Sequence, residues 1–152
     1  MAVQWQVAID CKDPERLVPF WCEALGYVPE PAPEGWDSWL AYWRSLGIPE
    51  EDLEGAEHGS GAIVDPEGTR PRIWFQPVPE GKAVKNRVHL DIKLTGGPRA
   101  LPDYEQRKAL IDAEVERLVG LGASVAHLNA PDGANYYAVT LLDPEGNEFC
   151  VV

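Results

Sequence analysis

Leu141-Leu142-Asp143-Pro144-Glu145-Gly146-Asn147-Glu148-Phe149-Cys150-Val151 reads as the end of an aliphatic strand, a tight turn and a second strand, because Asp, Pro and Gly are turn residues set between apolar pairs. Its central four residues already occur at Asp65-Pro66-Glu67-Gly68, 78 residues earlier and again behind an aliphatic pair, Ile63-Val64. A second match lies upstream of each turn. Trp5-Gln6-Val7-Ala8-Ile9-Asp10 aligns with Val88-His89-Leu90-Asp91-Ile92-Lys93 at an offset of 83, and both segments alternate as strands do. Between strand and turn each half carries a helix that ends in Leu-Gly, at Leu25-Gly26 and Leu121-Gly122, where the glycine can take the left-handed cap. The chain is a duplicated module.

The first helix has clear boundaries. Asp13 is a natural N-cap, Pro14 a natural first residue, and Leu17, Phe20, Trp21, Ala24 and Leu25 make one apolar stripe. Pro19 inside it removes a backbone hydrogen bond and should kink the axis. The second helix is expected from Asp103 to Leu121 with Leu110, Ile111, Val115, Leu118 and Val119 inward, and with Glu114 paired to Arg117 or Lys108. Each half then reads as strand, helix and three strands. The expected elements are 3 to 9, 14 to 25, near 27, 61 to 65 and 72 to 78, then 87 to 94, 103 to 121, 123 to 128, 136 to 142 and 147 to 152. The fold class is α+β, two tandem βαβββ modules over 1–80 and 86–152 within one domain, with mostly antiparallel sheets. One such module has too little core, so two should pair and curl their sheets into a cup floored by the first and last strands of each.

With 152 residues, 45% of them apolar, the chain has the size and composition of one soluble domain. Its 25 acidic against 13 basic residues give a net charge of −12, a field that repels phosphate and argues against nucleic acid and anionic membranes as partners. No apolar run is long enough to span a bilayer and residues 1 to 15 lack a signal-peptide pattern, so a cytoplasmic location is expected. Cys11, Cys22 and Cys150 fit no disulfide or zinc spacing and read as reduced thiols.

Several motifs together resemble the glyoxalase/bleomycin-resistance/dioxygenase family, the vicinal oxygen chelate superfamily, and within it the glyoxalase-like proteins of actinobacteria. They are Asp13-Pro14-Glu15-Arg16 before an aromatic helix ending in Leu25-Gly26-Tyr27, the stretch Phe75-Gln76-Pro77-Val78-Pro79-Glu80 to Lys85-Asn86-Arg87-Val88-His89-Leu90-Asp91, and the final DPEGNEFCV. The resemblance covers nearly the whole chain. It implies the paired βαβββ fold and a homodimer, but no single activity, since the family includes isomerases, dioxygenases, epimerases, thiol transferases and drug-sequestering proteins.

In metal-dependent members the ligands come from the first and last strands of each module, His or Gln and then Glu. Carried over, those positions are Gln6, Trp74 (with Gln76 as the other candidate), His89 and Cys150. Both expected carboxylates are missing, and an indole cannot ligate, so neither a resident metal nor a cofactor is expected. His89 could shuttle a proton near neutral pH, or simply bond a neighbouring strand. Cys150 could be a nucleophile beside it, or a small buried apolar side chain. Asp10 and Asp91 read as turn or cap groups.

The first module carries an insertion at about 36–58. Trp36, Trp39, Leu40, Trp43 and Leu46 fall at helical spacing, and Pro49 with Glu50-Glu51-Asp52 starts another short turn. The indoles are read either as a lid over the cup, offering faces to a flat or cationic ligand, or as packing at a sheet edge or dimer contact. Tyr136 and Tyr137, after the Pro131-Asp132-Gly133 turn, could line the mouth opposite. The sequence thus points to a small-molecule-binding protein that sequesters or transforms an aromatic or cationic metabolite without a metal. The alternative is a glyoxalase-like lyase or isomerase, with or without the help of a metal at His89 and Cys150, in which His89 is the acid or base and Gln6 orients the substrate.

Overall fold

Strand alternation and cap chemistry build the same unit twice in a computed structural model that describes residues 3–96, 100, 101 and 103–152. The chain divides into two compact units, Met1–Glu80 and Gly81–Val152. In the first, β1 (Val7–Cys11) leads to α1 (Pro14–Leu25), β2 (Val28–Pro29), β3 (Ala62–Val64) and β4 (Ile73–Pro77). The order across the sheet is β1-β4-β3-β2. β1 and β4 run parallel while the other pairs are antiparallel. The second unit repeats this with β5 (Leu90–Ile92), α3 (Tyr104–Leu121), β6 (Ser124–Asn129), β7 (Ala138–Leu142) and β8 (Glu148–Val151), in the order β5-β8-β7-β6 and with β5 parallel to β8. α1 and α3 each connect two strands that run in the same direction, β1 with β2 and β5 with β6, a return that a tight hairpin cannot make. This is the expected α+β class with three helices and two mixed four-stranded sheets.

The caps act as their chemistry demands. Asp13 accepts the Glu15 N–H at 3.1 Å and Asp103 accepts that of Gln106 at 2.8 Å, which satisfies donors that helix starts leave open. Gly26 and Gly122 end α1 and α3 at φ 69° and 118°, a region where a side chain would be strained. α1 runs on through Pro19 and buries Leu17, Phe20, Trp21 and Ala24 against Ile63, Ile73 and Phe75. In the second unit Ile111 and Leu118 meet Leu141, Phe149 and Val151. Leu110 and Val119, expected inward, are 50% and 43% exposed. Each helical step turns about 100°, so residues beside Ile111 and Leu118 are swung away from the sheet. Buried Arg107 takes part of that stripe instead, donating to the Leu101 carbonyl at 2.6 Å and to the backbone and side-chain oxygens of Asn135. Glu114 pairs with Arg117 as expected, while Lys108 turns to Asp112.

The two DPEG turns are built by their first residue. Asp143 accepts the N–H groups of Glu145 and Asn147, both at 2.9 Å, and the Asn147 amide. Asp65 accepts the N–H groups of Glu67, Thr69 and Arg70 and the Thr69 hydroxyl. Burial alone would raise the Asp65 carboxyl, but these four donors hold it below its ordinary value.

Three expectations change. β1 begins at Val7 and β5 at Leu90, so Gln6 and His89 each stand one residue ahead of their strand. Asp10 and Asp91 lie within strands, and the capping is done by Asp13 and Asp103. The inserted helix α2 spans Trp39–Ser45 and starts at Ser38, whose hydroxyl accepts the Ala41 N–H at 3.1 Å, so Trp36 lies outside it. A short 3-10 turn over Glu50–Asp52 follows as expected, and Arg44 grips Glu50 through two bonds of 2.7 and 2.9 Å. No helix among the described residues is long and apolar enough to cross a membrane.

Candidate functional site

Each unit has one sheet face covered by its helix and one turned away from it. In the first unit Ile73 and Phe75 point to α1, so alternation places Arg72, Trp74 and Gln76 of the β4 segment on the outward face, with Gln6, Ala8 and Asp10 beside them. In the second, Phe149 and Val151 point to α3, which leaves Glu148 and Cys150 outward. The registers define equivalent positions. Val7 pairs with Ile73 as Leu90 pairs with Phe149, so Gln6 corresponds to His89, Arg72 to Glu148, and Trp74 rather than Gln76 to Cys150.

The outward face of the first unit is held by a guanidinium. Arg72 forks onto Glu30 through Nε and Nη2 at 2.7 and 2.6 Å, and its third arm, Nη1, donates to Gln6 Oε1 at 2.7 Å. Its carbonyl also accepts the Val7 N–H at 3.0 Å, so both its backbone and its side chain grip the start of β1. Ser60 donates to Glu30 at 2.8 Å. The bonds from Arg72, with that of Ser60, hold the Glu30 carboxyl below its ordinary value although partial burial opposes them.

The second unit fixes its face with the opposite charge. Glu148 is paired with Lys82 at 2.9 Å and accepts the Asn86 N–H at 3.1 Å, which brings its carboxyl down to about 2. Asn86 turns its carbonyl to His89 Nε2 at 3.2 Å. A carbonyl can only accept, so Nε2 is the donor, and in the neutral tautomer this fixes Nδ1 as the nitrogen with the lone pair. Across the sheet Asp91, Cys150, Thr140 and His127 are direct register partners and form one polar row. Cys150 Sγ is 3.5 Å from the Thr140 hydroxyl, which also accepts from Asn129 at 3.1 Å.

The aromatic residues of the insertion gather on and beside α2. Trp39 lies 5.3 Å from Trp43 and 5.9 Å from Tyr42, and Trp36 is 5.9 Å from Tyr42. None is buried. The Trp39 indole donates to the Glu30 carbonyl at 2.9 Å, which ties α2 to the residue that holds Arg72. In the second unit Tyr136 is 47% exposed, whereas Tyr137 is 8% exposed with its hydroxyl on Asp112 at 2.5 Å. Asn135 lines an open cavity of about 460 Å³ between Tyr104 and the loop 130–135.

The donors at the four transferred metal positions do not suit a divalent ion. Gln6 has its amide oxygen on Arg72, Trp74 offers no lone pair, Cys150 replaces a carboxylate, and only His89 is a strong ligand. Among the described residues no three His, Cys, Asp or Glu side chains come together as a metal-holding group. The sequence reading missed Arg72, Glu148, Thr140 and His127. Arg72 and Glu148 were visible as the residues two before Trp74 and Cys150, on the same strand face.

Residues 6–152 match the glyoxalase-like domain family. Among curated proteins no sequence matches. Solved structures with the same fold include a glyoxalase/bleomycin resistance protein/dioxygenase family enzyme from Burkholderia phytofirmans PsJN, 16% identical, at a TM-score of 0.55 over 96% of this chain and 94% of that one. A superfamily member from Sphaerobacter thermophilus is 15% identical, with a TM-score of 0.55 over 100% and 97%. The fosfomycin resistance protein FosX from Listeria monocytogenes, in complex with Mn(II) and 1S,2S-dihydroxypropylphosphonic acid, is 10% identical, with a TM-score of 0.57 over 99% and 89%. At these identities the likeness is one of fold.

Proposed function

The chain belongs to the glyoxalase-like domain family, and from that premise we propose that it binds a small aromatic or cationic molecule on its outward sheet faces without a resident metal. The observation that carries this reading is the fate of Gln6. Its amide oxygen, the atom a metal would need, is bonded at 2.7 Å to a guanidinium that already carries a full positive charge. A divalent cation beside Arg72 would meet repulsion as well as a missing donor. The unburied Trp36, Trp39 and Trp43, with Trp74 on the sheet, supply flat apolar surface, and Asp10 and Asp91 add exposed carboxylates to a chain of net charge −12. The test pairs elemental analysis with indole fluorescence. We expect far less than one Mn, Fe, Ni or Zn per chain and saturable quenching by a heteroaromatic cation that chelator leaves unchanged. One tightly held metal per chain, removed by chelator together with the binding, would restore the metalloprotein reading.

A second reading is supported by the His89 tautomer. With Nε2 turned to the Asn86 carbonyl, the Nδ1 lone pair is positioned as a general base for a carbonyl or enolisable substrate. If the protein is that enzyme, His89→Ala abolishes turnover while affinity survives; if it only sequesters, the variant binds as the parent does.

We also propose that the protein is cytoplasmic, in keeping with cysteines whose spacing fits no disulfide framework, and that it is a homodimer. β6 is an outer strand with Val125 56% and Leu128 52% exposed, the kind of edge that association covers. Light scattering at micromolar concentration should give twice the chain mass; a monomer ends the dimer proposal.

A further inference from the structure

We propose that Arg72 is a positioning residue that turns Gln6 into a hydrogen-bond donor, so that the ligand is an aromatic compound bearing a carbonyl oxygen. The inference rests on the binding reading above and names the ligand chemistry for the same face. A guanidinium has donors only, so the group it meets at 2.7 Å must be the Gln6 oxygen, and the amide cannot flip without bringing N–H against N–H. The Gln6 NH2 is therefore the polar end presented to whatever lies on the face. Arg72 is itself held fast. Its fork onto Glu30 uses two further donors, Ser60 supports the same carboxylate, and the Arg72 carbonyl accepts the Val7 N–H next to Gln6.

Trp74 lies two residues from Arg72 on the same side of the β4 segment, and Ala8, two from Gln6, is its register partner. A flat ring set on that indole has a methyl-sized neighbour at Ala8 and an amide donor beyond it. An oxygen acceptor on the ring satisfies the donor. A ligand with none leaves the amide without a partner once water is displaced.

The experiment uses two probes of one shape, acetophenone and α-methylstyrene, in which C=O is exchanged for C=CH2. Both are titrated into 15N-labelled protein, with the Trp74 indole and Gln6 side-chain amide signals followed by NMR. Acetophenone is expected to bind about fivefold more tightly and to shift the Gln6 amide, since one neutral hydrogen bond separates the two. In Arg72→Met the amide is free to turn, and the preference should fall below about twofold while the Trp74 indole still responds to both probes; Arg72→Lys should keep part of it. Gln6→Leu, which leaves the Arg72 and Glu30 pair in place, should also erase the preference. A general loss of structure would abolish the Trp74 response to both probes, which separates it from a change in the preference alone. If both probes shift Trp74 equally in the parent protein, or if Arg72→Met or Gln6→Leu keeps the parent's preference, the positioning inference is overturned while binding stands. If neither probe shifts Trp74, the binding reading falls, and this inference with it.

Discussion

The two units share one register but carry different side chains at the equivalent outward positions, with opposite charges at residues 72 and 148. In the first, a positive side chain at residue 72 reaches Gln6 directly and is neutralised by Glu30. In the second, a negative side chain at residue 148 is neutralised by Lys82 and reaches His89 through the backbone of Asn86. The result is a donor in one unit, the Gln6 NH2, and an acceptor in the other, the His89 Nδ1. Two residues beyond 72 and 148 on the same strand face, the first unit carries an indole, Trp74, and the second a thiol, Cys150. A duplication keeps the backbone plan because turns, caps and core demand it, whereas outward residues are free to diverge in charge so long as each charge is paired.

The largest effect is expected where the two units are alike. Asp143→Ala leaves the N–H groups of Glu145 and Asn147 and the Asn147 amide without their acceptor inside a turn, and should cost about 2 to 4 kcal/mol in urea unfolding. Asp65→Ala should lower the melting temperature as well. A near-neutral result at either would break the equivalence of the turns.

Next come the indoles, which exist only on the first unit's side. Trp43→Ala should weaken binding of a heteroaromatic cation by about 1 to 3 kcal/mol, read by fluorescence titration. Trp39→Ala should do the same and also loosen α2, because it removes the bond to Glu30. Unchanged affinity in both variants would show that the aromatic cluster packs rather than binds.

The charge contrast is sharpened by acid. The Glu148 carboxyl sits at about 2 in the folded protein against an ordinary 4.5, so its stabilisation is complete above about 4.5 and disappears as pH falls towards 2. Lys82→Met should raise that folded value and flatten the pH dependence of stability within this window. If the acid profiles of variant and parent coincide, the ion pair contributes nothing there.

The smallest effect is on the surface of α3. Arg117→Ala removes an exposed pair with Glu114, and should change stability by only about 0.3 to 0.5 kcal/mol.

Much of the fold was legible because local signals agreed. Asp13, Pro14 and Gly26 bracket α1, and the repeated Asp-Pro-Glu-Gly marks both turns. Trp36 was misplaced because spacing alone assigns it to the helix, while Ser38, two residues later, competes for the cap and wins. Leu110 and Val119 were misread because an apolar residue beside a stripe looks much like one within it. The Gln6, Arg72 and Glu30 network could not be read at all. Arg72 lies 42 residues from Glu30 and 66 from Gln6, and the three meet only because β4 pairs in parallel with β1 on one side and, through β3, with β2 on the other.

That parallel pairing also sets an order of events. β4 lies between β1 and β3, and β8 between β5 and β7, so in each unit the late strand is an inner one that must thread into place. Val7 meets Ile73 across 66 residues and Leu90 meets Phe149 across 59. Closing such spans is slow compared with forming a hairpin, whose ends are already near each other. A nascent chain would therefore hold β7 with an open flank until β8 emerges, leaving the backbone N–H and C=O groups on that edge of Val139 to Leu142 unpaired during synthesis. The rate at which β8 docks, rather than helix formation, then governs how long that edge is open to misassembly.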